Sequence, residues 1–235
     1  MTQILLLDTA TRSATLALGN SGEHRIVRSD PSERNSRDLM ALVRTLFENF
    51  GGLASTNLDA VGFNRGPGSY TGSRLAASVV QGIAYVKQCP VIEFNTLELL
   101  YFSGLQSLVQ SGHSPISGAE VLVAVESKVG EYFWTGFFVG QSTHAPQITV
   151  GDADALLGSI QGENSVVIMN ESMQSHPNLT GIADVVWAEP RVELAFEVAA
   201  QRLNQGAVVD ALSAEPLYGQ DNIGWRTLAQ QRAQR

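Results

Sequence analysis

The order of apolar segments predicts an α/β protein built as two lobes, residues 1–110 and 111–235, each a mixed sheet with helices packed on it. Three observations carry that expectation. In both halves short apolar runs come first, and segments with helical spacing interleave afterwards. A stretch of turn formers without periodicity, Ser111-Gly112-His113-Ser114-Pro115-Ile116-Ser117-Gly118, lies between the halves. Finally, 235 residues exceed the usual size of one domain, and 44% apolar with 16% charged residues is enough to fill a sizeable core.

Ile4 to Leu7 is a continuous apolar run ending at Asp8, and Ala14 to Leu18 is a second run ending in Gly19-Asn20-Ser21-Gly22. They read as a strand, a tight turn over Thr9 to Ser13, and a hairpin into a third strand near Glu23 to Arg28. From Ser36 the spacing becomes helical, with Leu39, Met40, Val43, Leu46, Phe47 and Phe50 three or four apart, and Gly51-Gly52 ends the run. Leu58 to Phe63 reads as a buried strand and Ser73 to Val86 as a helix rich in small residues: Ala76, Ala77, Ser78, Gly82 and Ala84. Small side chains let another backbone come close, although a glycine inside a helix costs roughly 1 kcal/mol relative to alanine. A strand at Val91 to Phe94 and a helix from Asn95 to about Val109 complete the first lobe. In the second, Val121 to Val125 and Glu131 to Val139 bracket a hairpin at Lys128-Val129-Gly130. Val166 to Met169 is a strand, Glu193 to Leu203 a helix, and Pro216 to Tyr218 a final extended piece.

Composition narrows the function classes. A formal charge of -8 suits poorly a chain that grips nucleic acid alone, because such binding draws on Lys and Arg displacing counterions from phosphates. Arg226, Arg232 and Arg235 lie in a polar C-terminal stretch that reads as a solvated tail. No apolar run approaches the roughly 20 residues of a membrane span, and Met1 to Thr9 lacks the basic start of a signal peptide, so a cytoplasmic protein is expected. The single cysteine, Cys89, reads as a packed thiol. The four histidines, His24, His113, His144 and His176, are scattered in polar or loop contexts, with no His-x-x-x-His pair and no Gly-x-Ser-x-Gly elbow, so no catalytic, cofactor or metal residue is assigned.

Two motifs remain. Asp8 ends a first strand and is followed by Thr9-Ala10-Thr11, a place where a carboxylate can organise a metal at a nucleotide's phosphates or simply cap a turn. Thr9 stands where close phosphate approach would favour glycine. The second is Asn64-Arg65-Gly66-Pro67-Gly68-Ser69-Tyr70-Thr71-Gly72, a glycine-rich loop entering a helix. Backbone N–H groups there can cradle an anion. The spacing fits neither the dinucleotide fingerprint nor the P-loop, and a tight turn with Ser69 or Thr71 as N-cap explains the same residues.

Taken in order, Ile4 to Thr11, Asn35-Ser36-Arg37-Asp38-Leu39, Gly66-Pro67-Gly68-Ser69-Tyr70-Thr71-Gly72-Ser73-Arg74-Leu75, Asn95-Thr96-Leu97, Val123 to Tyr132 and Pro216-Leu217-Tyr218 resemble the TsaB, or YeaZ-type, family of bacterial threonylcarbamoyladenosine biosynthesis. The resemblance implies an actin-like (ASKHA, RNase H-like) two-lobed fold that has lost the metal site of its catalytic relative TsaD. It also implies a scaffold role: heterodimer with TsaD, TsaE in the larger assembly, a homodimer when alone, and tRNA reached only through the complex. Asn35 stands where the family usually has His, Glu126-Ser127-Lys128 where it has Asp-Ala-Arg, and Tyr218-Gly219-Gln220 where it has Tyr-Leu-Arg.

The family docks through helices of its first lobe, which correspond to Ser36 to Phe50 and Gly72 to Lys87. That carry-over assigns Leu39, Met40, Val43, Leu46, Phe47, Phe50, Arg74, Leu75 and Ser78 to a partner interface, with no cofactor. Arginine at Leu46 or Phe50 is then expected to weaken pairing while sparing the fold. The alternative is an actin-like ATPase or phosphotransferase using Asp8 and the Gly66–Gly72 loop.

Overall fold

The computed structural model describes residues 2–30, 35–113, 117–128, 130–141, 147–160, 166–176, 179, 182 and 185–217, with the side chains of 35–38, 49 and 128 left undescribed. Among these residues two five-stranded sheets form. The first holds β1 (Ile4–Asp8), β2 (Thr15–Gly19), β3 (His24–Arg28), β4 (Ala60–Asn64) and β5 (Val91–Phe94), in the order β3-β2-β1-β4-β5. β1 to β3 form an antiparallel meander, while β4 joins β1 and β5 joins β4 in parallel. The second sheet repeats the arrangement with β6 (Glu120–Lys128), β7 (Glu131–Phe138), β8 (Thr149–Gly151), β9 (Val166–Asn170) and β10 (Val185–Ala188), in the order β10-β9-β6-β7-β8. Again the first three strands are antiparallel and the last two are added in parallel. The α/β class with mixed sheets and packed helices is therefore as expected.

Alternation along the first sheet sorts its side chains into two cores. Leu5, Leu7, Leu16, Leu18, Val61, Phe63 and Val91 meet α1 (Asn35–Phe47) and α2 (Tyr70–Lys87). Ile4, Leu6, Ala17, Ala60, Ile92 and Phe94 face the other way, onto Leu99 of α3 (Thr96–Gln110), onto Val192 just before α5 (Phe196–Gln205), and onto Phe196 and Ala199 within it. Coverage on both faces explains why β1, β2 and β4 are buried at every position, a pattern that reads as a continuous apolar run.

α3 sits between the sheets. Leu99 packs on the first, while Leu97, Leu100 and Tyr101 pack on Val121, Val123, Phe133 and Ile168 of the second. Its first six residues are all buried, including Glu98, which is paired with Arg202 of α5. Asn95 caps it by accepting from Glu98 N. The far face of the second sheet is closed by α4 (Ala153–Gly158), whose Leu156 meets Leu122, Trp134 and Met169.

Boundaries depart from expectation in instructive ways. The Ser36 to Phe50 helix ends its α-turns at Phe47 and finishes in a 3₁₀ turn, with Gly51 left-handed at φ 77°. The helix expected at Glu193 begins as a 3₁₀ turn, Val192–Ala195, before α5. β8, α4 and β10 were not anticipated: each is six residues or fewer, too short to show a period. Tyr218 and the arginines of the tail lie outside the described residues, as do His144 and Val129. No helix among the described residues is long and apolar enough to cross a membrane.

Contact between α3 and the second sheet is close at Gly104, where an added Cβ would fall 2.4 Å from Ile168 Cδ1. Gly104→Ala should cost about 1–3 kcal/mol in urea unfolding, and adding Ile168→Val should recover part of it. A single mutant as stable as the parent would contradict the packing.

Candidate functional site

The two motifs of the sequence, Asp8 to Thr11 and the glycine-rich Asn64 to Gly72, meet. β1 delivers Asp8 and β4 delivers Asn64 side by side, and the turns that follow them lie against each other. Ser69 N donates to Ala10 O at 2.7 Å, and Thr9 Oγ1 donates to Gly72 O at 2.6 Å. A Cβ on Gly72 would stand 1.8 Å from Thr9 O, and one on Gly68 would stand 2.4 Å from Ala10 O. These glycines therefore serve a backbone-to-backbone contact. Three of the donors that could cradle a phosphate are engaged within the chain: Ser69 N by Ala10, Gly72 N by the Ser69 hydroxyl that N-caps α2, and Gly66 N by Asn64 Oδ1.

Asp8 is buried at the centre of this junction. Its Oδ1 accepts from Ala10 N (2.9 Å), Thr11 N (3.3 Å) and Asn64 Nδ2 (3.1 Å), while Oδ2 accepts from Thr11 Oγ1 (2.7 Å). Asn64 continues the network to Thr96 Oγ1. Desolvation outweighs these donors and raises the carboxyl to about 6. Asp8 caps its own turn and ties β1 to β4, and Asn64 carries the tie on to α3, which favours the turn-capping role over the metal-organising one. Among the described residues no group of three or more His, Cys, Asp and Glu side chains could hold a metal ion.

Beside the junction a cleft of about 510 Å³ opens between the sheets. Thr11, Arg12, Gly68 and Ser69 line one side; Glu126, Glu171, Gln174 and Glu189 line the other. Burial pushes Glu189 up, and the neighbouring Glu171 pushes the same way, against the Asn170 hydrogen bond and Arg12. A phosphate chain entering here would meet three carboxylates and one guanidinium.

His176 is not the bystander its sequence context suggests. Its Nδ1 lies 3.3 Å from Tyr132 Oη, and its Nε2 lies 3.3 Å from Glu126 Oε1. Burial, with Glu126 next, pushes the Tyr132 hydroxyl up. Glu126 and Tyr132 face each other across the β6–β7 hairpin, but His176 lies 44 residues beyond Tyr132, so spacing held no signal that it would join them. The other departures noted above fall differently: Ser127 Oγ bonds Glu131 Oε1, the side chains of Asn35 and Lys128 are undescribed, and Tyr218-Gly219-Gln220 lies outside the described residues.

The helix residues expected at a partner surface divide. Leu39, Val43, Leu46 and Phe47 are buried in the first core against the sheet. Arginine at Leu46 would place an unpaired charge in that core and would test folding, not pairing. Met40 is 63% exposed and Phe50 37%; Arg74 and Ser78 are exposed, and Leu75 is half-buried. α1 and α2 lie side by side, and Arg74 covers the Tyr70 ring at 3.9 Å from its centroid. The small residues of α2 divide in the same way: Ala76, Ala77 and Ala84 face the sheet, whereas Ser78 and Gly82 face outward.

Asp8 yields a pH test. Its folded pKa lies above the unfolded 3.8, so the folded state holds more protons between pH 3.8 and 6. Its contribution to stability is therefore greatest at low pH, falls across that window and is flat above it, a difference of about 3 kcal/mol. Asp8→Asn, whose amide can donate to Thr11 Oγ1, should unfold at pH 7 no more easily than the parent. The stability difference between the two should shrink as pH falls from 6 to 4. A destabilised variant with a pH-independent deficit would contradict this assignment.

Comparison with known proteins agrees with the geometry. A family model described as TsaD, tRNA N6-adenosine threonylcarbamoyltransferase, matches residues 26–132, a little under half of the chain. The tRNA threonylcarbamoyladenosine biosynthesis protein TsaB of Escherichia coli is 27% identical over 96% of this chain and 98% of its own length. That of Haemophilus influenzae is 24% identical over 96% of each. The structure of YeaZ from Pseudomonas aeruginosa superposes with a TM-score of 0.74 at 24% identity, covering 93% of this chain and all of that one. By sequence along nearly its whole length and by its two-sheet fold, the chain is similar to the TsaB, or YeaZ-type, proteins.

Proposed function

We propose that this chain is a non-catalytic subunit of tRNA N6-threonylcarbamoyladenosine biosynthesis that works by docking onto TsaD. The observation that carries the reading is the end-to-end match to proteins named TsaB, in both sequence directions of coverage. The site supports it. The two turns that would have to open around a phosphate chain are packed on each other through Gly68 and Gly72, and Asp8 is spent on internal hydrogen bonds. The match to a TsaD model over residues 26–132 is read as shared ancestry of the first lobe.

The rest of the proposal follows from the family resemblance. The partner meets the outward faces of α1 and α2, around Met40, Phe50, Arg74, Leu75 and Ser78. Alone, the chain pairs with itself; TsaE joins the larger assembly; tRNA is met through the complex, in the cytoplasm. The lobes divide at 110/111, with residues from Val192 onward returning to cover the first sheet.

Size-exclusion chromatography with light scattering, alone and with TsaD from the same source, tests the reading alongside an ATPase assay. A heterodimer with negligible turnover by the lone chain is expected. No complex, with magnesium-dependent turnover abolished by Asp8→Ala, would instead establish the ATPase or phosphotransferase alternative.

Two substitutions locate the surface. Met40→Arg should leave thermal stability nearly unchanged and weaken association at least tenfold, because a desolvated unpaired charge costs several kcal/mol. An added Cβ at Gly82 meets nothing within 4 Å, so Gly82→Ala should stabilise the lone chain by about 0.5–1 kcal/mol. If a partner helix packs closely there, the same change weakens pairing. Unaltered association in both variants would place the interface elsewhere.

A further inference from the structure

After α5 the chain turns back across the first sheet and is tied down at successive points from Ala207 to Leu217. Val209 exchanges two backbone hydrogen bonds with Val91 on the edge of β5, each 2.9 Å. The 3₁₀ turn Ala211–Ser213, capped by Asp210, then leads Ala214 into the first core, where its carbonyl accepts from Gln81 Nε2 of α2 at 2.9 Å. Glu215 N donates to Glu93 Oε1 at 3.2 Å, and Leu217 N donates to Arg65 O at 2.7 Å.

Glu93 takes part in one of these ties directly and in another through Arg65. Its Oε2 holds Arg65 Nη1 at 2.6 Å, and its carbonyl accepts from Arg202 Nη1 of α5 at 2.7 Å. Arg65 is in turn the first residue of the glycine-bearing turn, and Leu217 O stands 3.2 Å from where a Cβ on Gly66 would lie. One carboxylate, only 18% exposed, therefore joins the returning segment, the turn and the edge strand.

We propose that residues 207–217 are a strap clasped by Glu93, and that the strap positions the Arg65–Gly72 turn and with it the N-terminal half of α2. The turn already rests on Thr9 and Ala10 on its other side. Held between two backbones, it has one pose, and α2 inherits that pose. The consequence for docking rests on the reading of α2 as the partner face; the coupling of strap to turn does not. Glu93 is thus a positioning residue.

Hydrogen exchange on the full chain tests the coupling, comparing the parent with Glu93→Ala and Glu93→Gln. Glutamine keeps an acceptor for Glu215 N and loses the ion pair with Arg65; alanine removes both. In Glu93→Ala the amides of 209–217 and of 65–73 should speed up together, by about tenfold or more. Glu93→Gln should fall between, with β1 and β2 unchanged in both and TsaD binding weakened in the same order. Faster exchange in the strap without a change in the turn, or no change in either, would overturn the proposal. Loosening of both with unaltered TsaD binding would support the coupling and overturn only its consequence for docking. A parent chain that binds no TsaD would count against the functional reading instead, and the exchange result would still decide the strap.

Discussion

Two turns in this molecule approach so closely that a single added methyl group would collide with backbone. Gly72 faces Thr9 O and Gly68 faces Ala10 O, and the rest of the first sheet is arranged around that contact. It fixes where β1 and β4 end, where α2 starts, and how Asp8, Asn64 and Thr96 share hydrogen bonds in a dry interior. In a nucleotide-binding protein, a strand-ending carboxylate beside a glycine-rich turn would leave space for phosphate. Here the two turns close on each other, and Gly68 and Gly72 are required by that packing.

From that junction the surfaces are distributed. α1 and α2 turn their apolar residues to one face of the first sheet, α3 and α5 cover the other, and the second sheet repeats the strand order of the first on the far side of α3. The cleft between them is acidic, with Glu126 held by His176 and Glu189 beside Glu171. What remains outward on α1 and α2 is a mixed surface of Met40, Arg74, Ser78 and Gly82. A face of this kind suits association between folded proteins better than it suits chemistry.

How much of this was legible in the sequence depended on the length scale of each signal. The first sheet was readable because Ile4 to Leu7 and Leu16 to Leu18 are buried on both faces and so appear as unbroken apolar runs, and Val91 to Phe94 is broken only by half-buried Glu93. α1 was readable from period, but its width misled: Leu39, Val43, Leu46 and Phe47 all fit into one core because β1 and β2 present four leucines to them. The Gly66–Gly72 turn was recognisable as a turn, yet its partner, Thr9-Ala10, lay some sixty residues away and no local pattern announced it. The approach of His176 to the Glu126–Tyr132 pair, and the clasp of Glu93 on Glu215, are likewise contacts across long stretches of chain, created by the topology.

The central claim is that the outward face of α1 and α2, and not the cleft, is where this protein does its work. Hydroxyl-radical footprinting of the chain with and without TsaD addresses it directly, because Met40 and Tyr70 are exposed and oxidise readily, while Phe138 and Leu212 are exposed elsewhere. The account predicts strong protection of Met40 and Tyr70 on adding TsaD and none at Phe138. Protection confined to the second sheet, with Met40 and Tyr70 as reactive as in the free chain, would contradict it.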